Sequence, residues 1–260
     1  MEQVQLTLEE LYHKRGNYIQ TVLRDSNIQD HLGELDHTFG LDLLAHLCQH
    51  KRANIPTMVG LLRHHYPTAQ DVADQIALAV QIGIVGFDGE RLITCVELTP
   101  EEQSVIDKWQ YPPPCVVTPQ KLTCNTDTPY LLKHKGSVIL NNNHHEGDVC
   151  LDHLNHVNKY SLSINEEVMV MVQNKWANLD KQKDGETSVD FAKRVRAFNK
   201  YDKSARSLMT LLLDCGNKFF MTHSYDKRGR VYCNGYHVSY QGNPWNKAVI
   251  EFTNKELIKE

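Results

Sequence analysis

Asp226-Lys227-Arg228-Gly229-Arg230-Val231-Tyr232 is the most informative stretch of this 260-residue chain. A glycine allows the backbone to approach a phosphate closely, and arginine side chains can make planar, two-pronged contacts with phosphate oxygens. The stretch therefore predicts a turn that contacts a nucleic-acid backbone, with Arg230 as the principal contact. Asp226 is expected to orient the turn or an arginine. Tyr232 could stack on a base or a sugar, although a tyrosine packed in the core fits equally well, and the whole stretch could be an ordinary surface turn.

Charge is unevenly distributed along the chain. Residues 1–174 contain 12 Lys and Arg and 22 Asp and Glu, a balance of -10, whereas residues 175–260 contain 16 and 10, a balance of +6. A basic C-terminal third in a chain of net charge -4 indicates that this region meets a polyanion.

A long helix is predicted from about 188 to 217. On a helical projection, several basic residues fall within an arc of about 80°, with apolar residues such as Phe191, Val195 and Leu208 on the other side. The basic side could follow a nucleic-acid backbone or could simply be a solvated face. Its members are Lys193, Arg196, Lys200 and Lys203, flanked by Arg206.

Local signals divide the N-terminal part into helices and a hairpin. Thr7-x-x-Glu10 fits a capping box, and Thr68 is placed to cap a helix over 69–81. Asp88-Gly89 between two apolar runs is typical of a β-hairpin. Residues 54–98 thus follow the order of a winged helix. A further helix is expected from Thr99-Pro100.

The middle of the chain begins with a strong helix terminator, Tyr111-Pro112-Pro113-Pro114, and an irregular, strand-containing stretch is expected from there to about residue 143. Ser163-x-x-Glu166 is expected to cap a helix that runs through Trp176. A polar loop over 180–187 is expected to precede the long helix.

Asp226-x-x-Gly229-Arg230 resembles the T/DxxGR element of the single-polypeptide RNA polymerases of T-odd coliphages and mitochondria. The continuation Val231-Tyr232 and the later Gln241-Gly242-Asn243 are also similar to that family. Weaker similarities occur in the family's order from about residue 95. They are Val96-Glu97-Leu98-Thr99-Pro100-Glu101, Pro113-Pro114-Cys115-Val116-Val117, Ser163-Ile164-Asn165 with Val168 and Trp176, and Lys200-Tyr201-Asp202-Lys203-Ser204-Ala205-Arg206.

In that family, the metal-binding aspartates and the fingers lie C-terminal to T/DxxGR, and this sequence ends thirty residues after Arg230. The chain therefore resembles the small subunits of the two-subunit, middle-gene RNA polymerases of N-four-type coliphages. The resemblance implies a DNA-directed RNA polymerase subunit that is inactive alone and contains no catalytic or metal site. A large partner subunit with palm and fingers would bind Mg²⁺ and transfer the nucleotide. Val249, Ile250 and Phe252 are expected to be buried against that partner.

The implied fold is α+β and mainly helical. A reduced N-terminal domain would cover 1–150, with the winged-helix-like unit at 54–98. A thumb-like helical region would cover 151–220 and a first palm segment 221–260. The chain would hold template DNA and the RNA–DNA hybrid, and a single-stranded-DNA-binding protein could recruit the enzyme. The implied nucleic-acid-binding residues are Asp226, Lys227, Arg228, Gly229, Arg230, Tyr232, Lys193, Arg196, Lys200, Lys203 and Arg206.

Two other functions fit parts of the sequence. A winged-helix transcription regulator without enzymatic activity would use Arg63, His64 and His65, although the predicted second helix contains no Lys or Arg. Metal ligand types also occur in two clusters, but their spacing fits no standard zinc finger, so no metal site is expected in either. The first cluster contains His46, Cys48 and His50, and the second contains His144, His145, Cys150, His153 and His156.

Location is predicted from three features. The seven cysteines are odd in number and form no C-x-x-C pair, which is typical of reduced thiols in a cytosolic protein. The chain contains no apolar run of about eighteen residues, and its first residues do not resemble a signal peptide. The resemblance to phage polymerases therefore favours the bacterial host cytoplasm.

Overall fold

The computed structural model describes residues 1–26, 28–133, 136–140, 143–148 and 150–255. The fold is mixed α/β, about 48% helix and 10% strand, in agreement with the α+β prediction. The chain forms two units, one of Met1–Tyr12 with Asp107–Glu260 and one of His13–Ile106. The boundary near residue 106 falls inside the predicted 1–150 domain. Among the described residues, no helix has the length and apolar character needed to cross a bilayer.

The elements up to residue 108 are mostly helical, and four of the helices begin at a side-chain cap. Asp36, Asn54, Thr68 and Thr99 each accept a hydrogen bond from the backbone N–H three residues later, which satisfies one of the free donors of the helix start. In chain order the elements are α1 Glu2–His13, α2 Arg15–Asp25, a 3-10 turn Ile28–His31, α3 His37–His50, β1 Arg52–Ala53, α4 Ile55–Leu62, a 3-10 turn Arg63–His65, α5 Ala69–Gln81, β2 Val85–Phe87, β3 Leu92–Thr94 and α6 Pro100–Lys108.

The predicted hairpin at Asp88-Gly89 is present in the second unit. β2 and β3 are antiparallel with Phe87 opposite Leu92, and Gly89 has a φ of 94°, which favours glycine. β1 pairs with the other edge of β3, which gives the order β1-β3-β2. Helix α3, β1, α4, α5 and the hairpin thus follow one another as in a winged helix.

Apolar side chains of α2, α3, α4 and α5 form the core of this unit. Packing against β2 and β3 completes it through Val85 and Leu92. Fully buried members include Ile19, Leu23, Phe39, Leu43, Leu44, Leu47, Met58 and Leu62.

Among the described residues between α6 and residue 151, there is no regular helix or strand. The stretch contributes only isolated bridges, Cys115 to Phe220 and Ile139 to Tyr225. The later elements are α7 Leu151–Val157, β4 Ser161–Ile164, α8 Glu166–Met171, α9 Ser188–Asp214, β5 Phe219–Phe220, β6 His223–Tyr225, β7 Val231–Cys233, α10 Pro244–Val249 and β8 Ile250–Phe252.

Buried polar side chains of α1 accept hydrogen bonds from backbone N–H groups of the irregular stretch, a role that a neighbouring strand would have in a sheet. The side-chain oxygen of Gln5 accepts the backbone N–H of Val116 at 2.7 Å. The Glu9 carboxylate accepts those of Leu131 and Leu132 at 3.0 and 2.6 Å. Because buried backbone N–H groups need partners, these two side chains make the irregular path compatible with burial.

Two capping predictions were wrong. Helix α1 begins at Glu2, so Thr7 lies inside it and its hydroxyl donates to the Gln3 carbonyl at 3.0 Å. Ser163 lies in β4, opposite Glu251 of β8. Asn165 caps the following helix instead, and that helix ends at Met171 rather than at Trp176.

Candidate nucleic-acid interface

The Asp226–Tyr232 stretch forms a β-hairpin. Strands β6 and β7 are antiparallel with Tyr225 opposite Val231, and the turn between them is closed by the Asp226 N–H, which donates to the Arg230 carbonyl at 2.9 Å. Gly229 has a φ of 79°, and among the described residues no heavy atom beyond its two chain neighbours lies within 4 Å of the position that a Cβ would take. The turn therefore requires glycine for its backbone conformation and not for lack of space.

The Asp226 carboxylate organises this turn. It accepts the backbone N–H groups of Arg228 and Arg230 at 2.9 and 3.0 Å, the Arg230 Nε–H at 2.6 Å and the Tyr232 hydroxyl at 3.2 Å. Partial burial acts to raise the pKa of Asp226, but these hydrogen bonds outweigh it and hold the pKa well below its usual range. Because the donors occupy its oxygens, Asp226 orients Arg230 and is poorly suited to bind a metal ion.

The cations of the turn remain accessible. Arg230 is 54% exposed and Arg228 is 66% exposed, and Lys227 is exposed as well. Arg230 directs Nε and Nη2 to Asp226, and its guanidinium carbon lies 5.6 Å from the Tyr232 ring centroid. Three cations and one carboxylate leave the turn with a charge of +2.

Helix α9 contains the predicted basic stripe, but three of its five members are paired with carboxylates. Lys193 lies 3.1 Å from Asp190, Lys200 lies 2.6 Å from Asp107, and Arg206 lies 3.1 Å from Asp202. Arg206 also lies over the ring of Trp245, at 5.1 Å. The remaining two members are exposed and have no carboxylate partner among the described residues. They are Arg196 and Lys203.

The Gln241–Asn246 segment connects the hairpin to α9. The Gln241 side chain accepts the Cys233 N–H at 2.8 Å and donates to the Val231 carbonyl at 3.3 Å, as a neighbouring strand would. The buried Asn246 amide donates to the Tyr201 hydroxyl of α9 at 2.6 Å. Hairpin and helix are thus held together within one unit.

Tyr236 is a candidate that sequence analysis missed. Its ring stacks on Tyr111 at 4.2 Å, packs against Tyr201 at 5.4 Å and remains 40% exposed. An exposed tyrosine held by other rings is suited to stacking with a base. No sequence signal could have found it, because Tyr111 and Tyr236 are separated by more than a hundred residues.

The residues of the winged-helix alternative make hydrogen bonds within the second unit. The Arg63 guanidinium donates to the carbonyls of Tyr66 and Pro67. His65 is 12% exposed, and His64 is bonded through Nδ1 to the Leu61 carbonyl. Helix α5 contains Asp71 but no Lys or Arg, so its charge does not favour the major groove of DNA.

The histidines of the His144–His156 segment make separate local hydrogen bonds. Within the described residues, these histidines and Cys150 do not assemble into a group that could hold an ion. His144 is bonded to the Ser137 hydroxyl at 3.0 Å and His156 to the Tyr160 hydroxyl at 2.8 Å.

Comparison with known proteins gives no identification of the chain. No protein-family model and no curated protein matches it.

Proposed function

We propose that this chain is a nucleic-acid-binding subunit of a DNA-directed RNA polymerase. It holds template DNA and the RNA–DNA hybrid, and a larger partner subunit supplies the palm, the fingers and the Mg²⁺ ions for nucleotidyl transfer. The observation that carries the proposal is the hairpin at Asp226–Tyr232. Its sequence resembles the T/DxxGR element, and its geometry presents oriented, exposed arginines on a turn that only glycine adopts easily.

The hairpin has the properties that a phosphate contact requires. Asp226 fixes the Arg230 guanidinium before any ligand arrives, so less side-chain entropy is lost on binding. The net charge of +2 attracts phosphate, and Arg228 can add a second planar contact. Tyr232 packs beside the Arg230 guanidinium, which further restricts its position.

Arg196 and Lys203 on α9 extend this surface under the proposal. They contribute charge without fixed geometry, as phosphate contacts that are independent of sequence often do. Tyr236 adds a stacking site. Lys193, Lys200 and Arg206 contribute less, because their carboxylate partners already compensate their charge.

The partner subunit is proposed to dock at the β8 edge. Strand β8 is an outer strand of the sheet β5-β4-β8, and outer strands present backbone groups that a second chain can pair with. Phe252 is 60% exposed beside a cavity of about 320 Å³ lined by Tyr160, Leu162 and Met221. Val249 and Ile250 were also expected to contact the partner, but they are buried within this chain. The proposed contact is therefore narrower than the sequence suggested.

The proposal is tested with the purified chain and a fluorescent RNA–DNA hybrid duplex in anisotropy titrations. Arg230→Ala should weaken binding by about 10- to 100-fold, the range for a charge-assisted hydrogen bond, and Arg230→Lys should restore only part of it. Lys175→Ala removes an exposed cation of the same unit and serves as the matched control. Affinity unchanged by Arg230→Ala would contradict the proposal.

A winged-helix regulator remains the second candidate, because β1 completes the strand order of that module. It makes the opposite prediction for the same experiment with duplex DNA. Arg63→Ala and His64→Ala should then reduce affinity more than Arg230→Ala.

The polymerase proposal also predicts where activity resides. Co-expression with the large subunit should give Mg²⁺-dependent RNA synthesis on a template, and this chain alone should give none. A single-stranded-DNA-binding protein is the proposed recruitment factor.

A further inference from the structure

Three imidazoles converge on the Asp42 carboxylate in the second unit. His65 Nε2 lies 3.0 Å and His64 Nε2 lies 3.4 Å from Oδ2, while His46 Nε2 lies 3.8 Å from Oδ1. Asp42 and His46 are on α3, whereas His64 and His65 belong to the 3-10 turn that follows α4. The ligand atoms of Asp42, His64 and His65 all lie within 4.8 Å of one another.

The hydrogen bond made by His64 determines what its ring presents to Asp42. Its Nδ1 lies 3.1 Å from the Leu61 carbonyl oxygen, so Nδ1 carries the proton and donates it there. In the neutral ring, Nε2 then directs a lone pair towards the carboxylate oxygen at 3.4 Å. Two lone pairs at this distance repel each other unless a proton or a metal cation lies between the atoms.

We propose that Asp42, His64 and His65 bind one divalent transition-metal ion of the zinc class, with solvent completing the coordination. Imidazole nitrogen and carboxylate oxygen are ligands that such ions prefer. The distances from Asp42 Oδ2 to the two Nε2 atoms, 3.0 and 3.4 Å, also fit, since neighbouring ligands around an ion with bonds of about 2.1 Å lie roughly 3.0 to 3.4 Å apart in octahedral or tetrahedral geometry.

The surroundings orient the ligands as outer-shell groups do in metal sites. Gln20 Nε2 donates to Asp42 Oδ1 at 3.1 Å, which leaves Oδ2 directed at the two histidines. Leu61 fixes the tautomer of His64, and the Phe39 ring packs edge-on against His65 at 5.6 Å. Hydrogen bonds of this kind hold metal ligands in position and raise their basicity.

Exposure gives the ion an entry route. His65 and Asp42 are 12% and 19% exposed, whereas His64 is 63% exposed. The ion would enter from the His64 side and would join α3 to the turn between α4 and α5. The proposal involves none of the hairpin or α9 residues and is therefore independent of the polymerase proposal.

The test uses the full-length chain, stripped with a chelator and titrated with Zn²⁺ by calorimetry, with Co²⁺ absorption as a probe of the ligands. We expect one equivalent bound, without the charge-transfer band that thiolate ligands give. His64→Ala should weaken Zn²⁺ binding by at least about 100-fold, because loss of an outer-shell partner alone costs 10- to 100-fold. Gln20→Ala should weaken it by about 10-fold.

Matched controls separate this site from other histidines. His50→Ala removes an exposed histidine from the same helix and should leave binding unchanged. His153→Ala tests the other histidine cluster and should also have no effect. Asp42→Asn retains the side-chain shape and should abolish binding of the one Zn²⁺ equivalent. Circular dichroism verifies the folding of each variant. The proposal is overturned if the wild-type chain binds no equivalent, if binding survives in both His64→Ala and Asp42→Asn, or if His153→Ala removes it.

Discussion

Two glycines flank strand β7, and adding one methyl group to each is expected to have different effects. At Gly229 the space is open but φ is 79°, so alanine incurs the left-handed penalty of about 1–2 kcal/mol. Alanine also reduces the conformational entropy of the unfolded chain, which offsets about 0.4–1 kcal/mol of this penalty. At Gly235 a Cβ would lie 2.2 Å from the Val238 carbonyl oxygen and 2.5 Å from Met221 Cε. Backbone must move there, and such overpacking costs about 3 kcal/mol.

Urea unfolding of the full-length variants, followed by circular dichroism, measures both effects. Gly229→Ala should lose about 1 kcal/mol, and Gly235→Ala about three times as much. Gly60→Ala is the matched control, because Gly60 lies in α4 with open space around it, so the change should be neutral or stabilising by about 0.5–1 kcal/mol. Gly229→Ala should nevertheless reduce hybrid affinity, since it alters the turn that carries Arg228 and Arg230. Equal stability of Gly235→Ala and Gly229→Ala would refute the steric argument.

Three further predictions concern the same unit. Replacing Arg196 and Lys203 together by Ala should weaken hybrid binding and reduce the salt-dependence slope by about 2, whereas Lys193→Ala should change little; anisotropy at several salt concentrations measures this. Burial lowers the pKa of His223 to about 4. Because the His223 side chain of the unfolded chain takes up a proton near pH 6.5, its contribution to the free energy of unfolding should fall by about 3 kcal/mol between pH 6.5 and 4. Burial lowers the pKa of His237 to about 4 as well, so His223→Gln should remove only its own part of the dependence in urea titrations, and an unchanged slope would contradict the assignment. Phe252→Ser should reduce stoichiometric co-purification with the large subunit without altering the circular dichroism spectrum; retention at the wild-type level would place the interface elsewhere.

Local signals were sufficient for part of the fold. Thr68 and Asp71 form a capping box at the start of α5, and Asp88-Gly89 forms the hairpin turn, because both depend on residues that are close in sequence. Ser163-x-x-Glu166 has the same local pattern and was misleading. Ser163 pairs with Glu251, 88 residues later, and this strand pairing outweighed the helix cap. Sequence periodicity contains no information about such a distant partner.

In the candidate site, too, contacts within one helix could be predicted from the sequence, whereas contacts between distant residues could not. Asp190 and Asp202 lie within one helical turn of Lys193 and Arg206, so their pairing with the basic stripe could have been predicted. Asp107 reaches Lys200 from outside the helix and could not. The cluster around Asp42 is a similar case, because two of its three histidines come from a different element.

The contrast between the hairpin and α9 identifies which contact should dominate binding. Under the proposed function, Arg196 and Lys203 attract phosphate as exposed charges, and salt screens that attraction. The attraction of Arg230 is screened as well, and Asp226 repels an incoming phosphate. However, Asp226 also fixes the guanidinium through the Nε–H hydrogen bond at 2.6 Å and the adjacent backbone through the Arg230 N–H at 3.0 Å. This orientation does not depend on ionic strength. The relative contribution of Arg230 should therefore increase as salt rises, because geometry remains when long-range attraction has been lost.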